Sequence, residues 1–168
     1  AVVEQFGAGN FNEPLEQFPG KKAFINDTIE KVRENIKTFV TDMQAMSTAH
    51  DLGDIDFKMA ESKFEGTYKT MALGVNAMVS GHININRKAI NVVQGFGDGD
   101  FDVVLEQFPG KQAAINQAIE STRSNIKTFV VDMNAMSVAH DRGEISSTME
   151  ESKFKGTYKA MAHGVNTM

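Results

Sequence analysis

The 168-residue sequence contains no cysteine, which excludes disulfides, thiolate metal sites and thiol nucleophiles and agrees with a reducing compartment. It has no apolar run near the roughly 18 to 20 residues that a membrane span needs. It has no basic surplus either: the net charge is −5 and the Lys and Arg residues are scattered, so the electrostatic footprint of a nucleic-acid binder is missing. No charged start followed by an apolar middle marks a signal peptide, and Ala1 opens directly onto a patterned segment. With no initiator Met, the sequence reads as a piece of a longer chain, begun inside a helix.

What is present is repetition. Residues 1–78 align without a gap with 91–168, and about 50 of the 78 pairs are identical. Leu15 to Lys21 returns as Leu105 to Lys111, and Asn35 to Val40 as Asn125 to Val130. A finer signal halves each copy: Gly9-Asn10-Phe11, Gly53-Asp54-Ile55, Gly99-Asp100-Phe101 and Gly143-Glu144-Ile145. Four modules of about 45 residues follow, with expected bounds 1–38, 39–81, 82–128 and 129–168. The first lacks the start of its first helix.

Ile25, Ile29, Val32, Ile36, Phe39, Met43, Met46 and His50 alternate by four and three residues. That spacing is a heptad seam. Its twin is Ile115, Ile119, Thr122, Ile126, Phe129, Met133, Met136 and His140, and another seam runs Tyr68, Met71, Val75, Met78, His82, Ile85, Ala89, Val92 and Phe96. The last predicts one helix crossing from module to module. The intervening segments, Asp51 to Gly66 and Gly97 to Gly110, exceed the usual 2 to 8 residues between antiparallel helices. Extended chain covers about 3.3 Å per residue against 1.5 Å in a helix, so consecutive helices can run parallel. Phe101, Leu105 and Phe108, with Ile145, Met149 and Phe154, are expected to dock these connectors on the bundle. Two helices with one stripe each cannot enclose a core, while each buried Ile, Phe or Met is worth roughly 1.5 to 3 kcal/mol. A second chain is the simplest cover, giving an all-α, parallel, homodimeric four-helix coiled-coil bundle.

These elements resemble the HAMP domain, the helix, connector, helix module of bacterial chemoreceptors, sensor kinases and cyclases, and the whole chain resembles a concatenated array of them. Gly53-Asp54-Ile55 and Gly143-Glu144-Ile145 look like the family's Gly-Asp-Leu element at the end of the first helix. Gly66 and Gly156 stand at its Asp-Glu-x-Gly entry to the second helix, and Val75-Asn76-Ala77-Met78 and Val165-Asn166-Thr167-Met168 look like its Phe-Asn-x-Met close. Lys63-Phe64-Glu65 and Lys153-Phe154-Lys155 lack the Asp-Glu pair before that glycine. In the first and third modules the entry gives way to Phe18-Pro19-Gly20-Lys21 and Phe108-Pro109-Gly110-Lys111, which makes those two divergent.

The resemblance implies a bundle with at least two packings, each module biasing the next. It implies a cytoplasmic relay segment of a chemoreceptor-type protein, membrane-anchored or not, whose input domain and methyl-accepting output domain lie elsewhere. No catalysis, cofactor, metal or small-molecule substrate is expected. The residues expected to carry structure and signalling are Gly53, Gly66, Asn76, Gly99, Pro109, Gly110, Gly143, Gly156 and Asn166. With them stand the seam residues Ile25, Ile29, Ile36, Met43, Met71, Val75, Met78, Ile115, Ile119, Ile126 and Met133.

Competing readings have less behind them. A ligand-binding helical sensor needs a polar pocket, which seams of Ile, Val, Met and Phe do not offer; a sensor-kinase array or a passive spacer is a further alternative. His50 and His140 invite a metal or haem site but have no second ligand at suitable spacing on their face, and polar capping or register setting suits them better. His50-Asp51 has no nucleotide-binding motif after it. Gly97-Asp98-Gly99 lacks the ending and preceding strand of a phosphate loop and reads as a helix stop. Glu61 with Glu65, and Glu150 with Glu151, read as solvated connector. Gly74, Gly81 and Gly164 stand inside predicted helices, for close packing or for flexibility.

Overall fold

The computed structural model describes residues 2–168, so Ala1 lies outside the described residues. Helix α1 spans Val2–Gly7, α2 Ala23–Asp51, α3 Gly66–Gly97, α4 Ala113–Asp141 and α5 Gly156–Asn166. No strand occurs among the described residues. The expected crossing helix is present as α3, 32 residues long. The chain divides into two compact units, Ala1–Asn84 and Ile85–Met168.

Four helices, α1 to α4, end in the same hydrogen-bonded motif. In α2 the Gly53 N–H donates to the His50 carbonyl at 2.9 Å and the Asp54 N–H to the Ala49 carbonyl at 2.9 Å, with Gly53 at φ +94°. This is a Schellman ending: the left-handed residue turns the chain back and satisfies the last carbonyls. Gly9, Gly99 and Gly143 repeat it. The next helix is entered through a second left-handed glycine, Gly66 at φ +54°, with Gly20, Gly110 and Gly156 as counterparts. Pro19 and Pro109 are extended and each precedes a single 3-10 turn, Gly20–Lys22 or Gly110–Gln112, that runs straight into α2 or α4. The two prolines shape helix entry, since their fixed φ suits the residue just outside a helix.

Contacts along each connector fix the helix directions. In the first unit, His50 near the end of α2 lies against Phe57, whereas Lys63, later in the connector, reaches back to Asp42. The connector therefore runs antiparallel to α2. Met59 lies against Asn76, well inside α3, whereas Phe64 is two residues short of the start of α3; the connector is antiparallel to α3 as well. Within this module α2 and α3 are thus parallel, and the same pairs recur in the second unit as His140 with Ser147, Lys153 with Asp132, and Met149 with Asn166.

The connectors supply much of the core. Met59 and Phe64 pack with Phe39, Met46 and Ala72. Met149 and Phe154 pack with Phe129 and Ala162, and Leu105 and Phe108 pack with Val92 and Ile119. Phe39 meets Phe64, and Phe129 meets Phe154, edge to face, with centroids 5.8 and 5.7 Å apart, a geometry worth about 0.5–1.5 kcal/mol beyond burial. One expected anchor does not dock: Ile145 is 81% exposed. It follows directly on the glycine turn, where the chain has yet to run back along the helix. Phe101 occupies the equivalent place and is held there because Phe96, with its ring centroid 5.5 Å away, gives it something to pack on.

Candidate functional site: a clasped connector between parallel helices

The structured region that repeats is the seam between parallel helices with the connector fastened along it. Two kinds of fastening alternate. In the modules containing Gly53 and Gly143, a buried or half-buried asparagine substitutes for a neighbouring strand. Asn76 Oδ1 accepts the Met59 N–H at 3.0 Å while its Nδ2 donates to the Met59 carbonyl at 3.0 Å and to Glu61 Oε1 at 3.0 Å. Asn166 does the same with Met149 and Glu151. At the far end of the helix, His50 Nε2 donates to the Phe57 carbonyl at 3.0 Å, and His140 Nε2 to the Ser147 carbonyl at 2.8 Å. Because a carbonyl only accepts, Nε2 carries the proton in both rings. The third tie is an ion pair, Lys63 to Asp42 at 2.8 Å and Lys153 to Asp132 at 3.0 Å.

In the modules containing Gly9 and Gly99 the clasp moves to the start of the second helix. Asn26 Oδ1 accepts the Phe18 N–H at 3.0 Å and its Nδ2 donates to the Glu16 carbonyl at 2.6 Å; Asn116 repeats this with Phe108 and Glu106. An arginine two turns later holds the rest: Arg33 donates to the Phe11 carbonyl, and Arg123 to the Phe101 and Val103 carbonyls. Glu30 accepts from the Leu15 N–H at 2.9 Å and from Arg33 Nε at 2.6 Å. Those two donors hold its carboxyl below the usual carboxylate range. Asp102, bonded by Lys127, is likewise held low, as is Glu151, which accepts from His163 and Asn166.

The residues expected from the sequence fall into three groups. Gly53, Gly66, Gly99, Gly110, Gly143 and Gly156 all take the left-handed conformation. Asn76 and Asn166 touch their connectors, and Pro109 sets up the turn into α4. The seam residues divide. Ile119 is buried, while Ile25, Ile29, Ile36, Val75, Ile115 and Ile126 are half-buried. Met43, Met71, Met78 and Met133 are exposed within the single chain. Asn26, Asn116, Arg33, Arg123 and Ala72 were not singled out. Their signal was available for the first four, since polar residues identical in both copies recur beside a heptad seam, where solvated positions drift. Ala72 lies one residue off the heptad assigned through Met71.

His50 and His140 are bonded to backbone, and no group of three or more His, Cys, Asp or Glu placed to hold a metal occurs among the described residues. No helix among them is long and apolar enough to cross a membrane.

Parallel helices joined by a clasped connector, with a glycine at the exit of one helix and at the entry to the next, define the helical unit that recurs along this chain. Residues 1–37 and 85–127 match the family model for HAMP N-terminal domain 3. It is similar to the methyl-accepting chemotaxis protein McpB of Pseudomonas aeruginosa, with 31% identity over 94 residues, 56% of this chain and 14% of that protein. The matched stretch is thus a small part of that relative's length.

Proposed function

We propose that this chain is a relay: a series of four HAMP modules, 1–38, 39–81, 82–128 and 129–168, that passes conformational change between input and output domains of a chemoreceptor-type protein. It works as a parallel homodimer on the cytoplasmic side, without catalysis of its own. One observation carries the reading. Helices that already bury one flank of their seam leave the adjacent apolar flank open, with Met43 40% and Met78 60% exposed although both stand at heptad positions. Single exposed apolar residues are ordinary, but a repeating stripe is an interface signature. A second copy covers it with identical seams, completing four helices per layer. The relationship to a chemotaxis receptor supports the same use. In such a bundle the exposed methionines, long and adaptable, lie where packing can shift between arrangements at little cost.

The test is mass in solution together with crosslinking. Light scattering should give twice the 18.4 kDa chain mass, and Met43→Cys and Met78→Cys should each form a disulfide with its own counterpart in the second chain. A monomer at tens of micromolar, or cysteines that never crosslink, would remove the dimer and the relay with it.

A further inference from the structure

The duplication gives each connector an internal control, and one pair differs in a concentrated way. Where the second unit has Gly95, Asp100, Asp102, Val103 and Val104, the first has Gln5, Asn10, Asn12, Glu13 and Pro14.

In the second unit these residues build a lock. Val103 packs directly on the bare Cα of Gly95, so that a Cβ placed there would lie 2.5 Å from Val103 Cγ2. Arg123 donates to the carbonyls of Phe101 and Val103 and stacks over the Phe96 ring, with Cζ 5.0 Å from its centroid. Lys127 pairs with Asp102 at 2.6 Å. Apolar contact, backbone hydrogen bonds and an ion pair converge on residues 101–103, and the same Arg123 is seated over the Phe96 ring of α3.

In the first unit the ring contact is kept, Phe6 lying 5.5 Å from Phe11 between centroids, but the contacts made by the exchanged residues are altered. Gln5 places a side chain where Gly95 has none and binds Asn10 through Oε1. Glu13 replaces the apolar Val103, and Asn12 removes the carboxylate that holds Lys127 in the other copy. Arg33 still reaches the Phe11 carbonyl, but its Nη2 turns to Glu34 at 2.7 Å. Beside Asn12 and Lys37 lies a cavity of about 360 Å³ that also borders Gly9, Phe11 and Val40.

We propose that residues 98–104, with Arg123 and Lys127, form a latch that fixes this connector to both its helices. The substitutions at the corresponding positions of the first unit remove the latch, so that connector movement is concentrated in residues 8–14. Only the use of this asymmetry rests on the relay reading; the latch itself does not.

Exchanging the residues in the full chain tests it. Gly95→Gln with Asp102→Asn and Val103→Glu should raise the rate of subtilisin cleavage within 98–104 at least fivefold. Gln5→Gly with Asn12→Asp and Glu13→Val should slow cleavage within 8–14 at least threefold. Circular dichroism must report the same helix content throughout; should the first triple variant lose helix, Asp102→Asn alone takes its place, with about a twofold rise expected. Cleavage rates that stay within measurement error in both directions overturn the latch. Dimer mass and Met78→Cys crosslinking are independent of these rates, so failure of the latch and failure of the relay reading are told apart.

Discussion

Asn76 grips Met59 as one strand grips the next, with Oδ1 on the backbone N–H and Nδ2 on the carbonyl of the same residue, each at 3.0 Å. An extended connector has no neighbouring strand, yet its backbone groups at Met59 are buried and need partners. One amide side chain supplies both.

Asn76→Ala should therefore leave a buried donor and acceptor unmatched, at about 1–3 kcal/mol for each unsatisfied group. Urea denaturation at fixed protein concentration checks this, with a total loss of about 2–6 kcal/mol expected. Asn76→Asp should fall between, because it keeps an acceptor for the N–H and sets a carboxylate against the carbonyl.

Phe64 is a connector residue with the burial of a core residue. Phe64→Ala, and its twin Phe154→Ala, should each cost about 3–5 kcal/mol, more than truncation of any exposed methionine on the same helices. Thermal melts of both variants beside Met71→Ala measure the contrast. Equal losses would mean that the connector is not part of the core.

Gly53 and Gly66 should each resist replacement by alanine for a backbone reason. A Cβ at either position meets nothing within 4 Å, so the cost is that of holding an L residue left-handed, about 1–2 kcal/mol. A drop in melting temperature for Gly53→Ala and Gly66→Ala, with unchanged helix content, is the expected result.

Acid should weaken the first unit through Glu30. Its carboxyl is held low by the Leu15 N–H and by Arg33, so the folded state binds its proton less readily than the unfolded chain does. The stability this contributes is complete above the unfolded value of about 4.3 and is lost as the pH falls through the lower folded value. Glu30→Gln keeps an acceptor for Leu15 but cannot titrate. Its melting temperature should lie below that of the parent at neutral pH and converge on it as the pH falls through the lowered folded value; a constant difference would contradict this assignment.

Much of this was legible in the sequence, because helix periodicity and left-handed turns are local properties. The Gly53 and Gly143 triplets and the seam from Ile25 to His50 located the helices and their ends. The connector fastenings were harder to read. Asn26 and Arg33 act over 8 to 22 residues on backbone groups, and no periodicity marks an acceptor that is a carbonyl. Ile145 was misjudged because an apolar residue after a glycine turn docks only if the helix end offers a ring, as Phe96 does for Phe101. The heptad through Met71 and Met78 named residues that a single chain leaves exposed, while Ala72 and Asn76, one or two places away, face the connector.

Helix α2 belongs to two connectors at once. Asn26 and Arg33 secure the one before it, and Asp42 and His50 the one after it. Since each residue advances a helix by 100°, the angle between those two sets of fastenings is written in the count of residues from 33 to 42. Adding one residue there would misdirect one set by more than a quarter turn, whereas seven would restore it to within about 20°. The length of that stretch, more than its composition, sets how the two connectors are turned about α2.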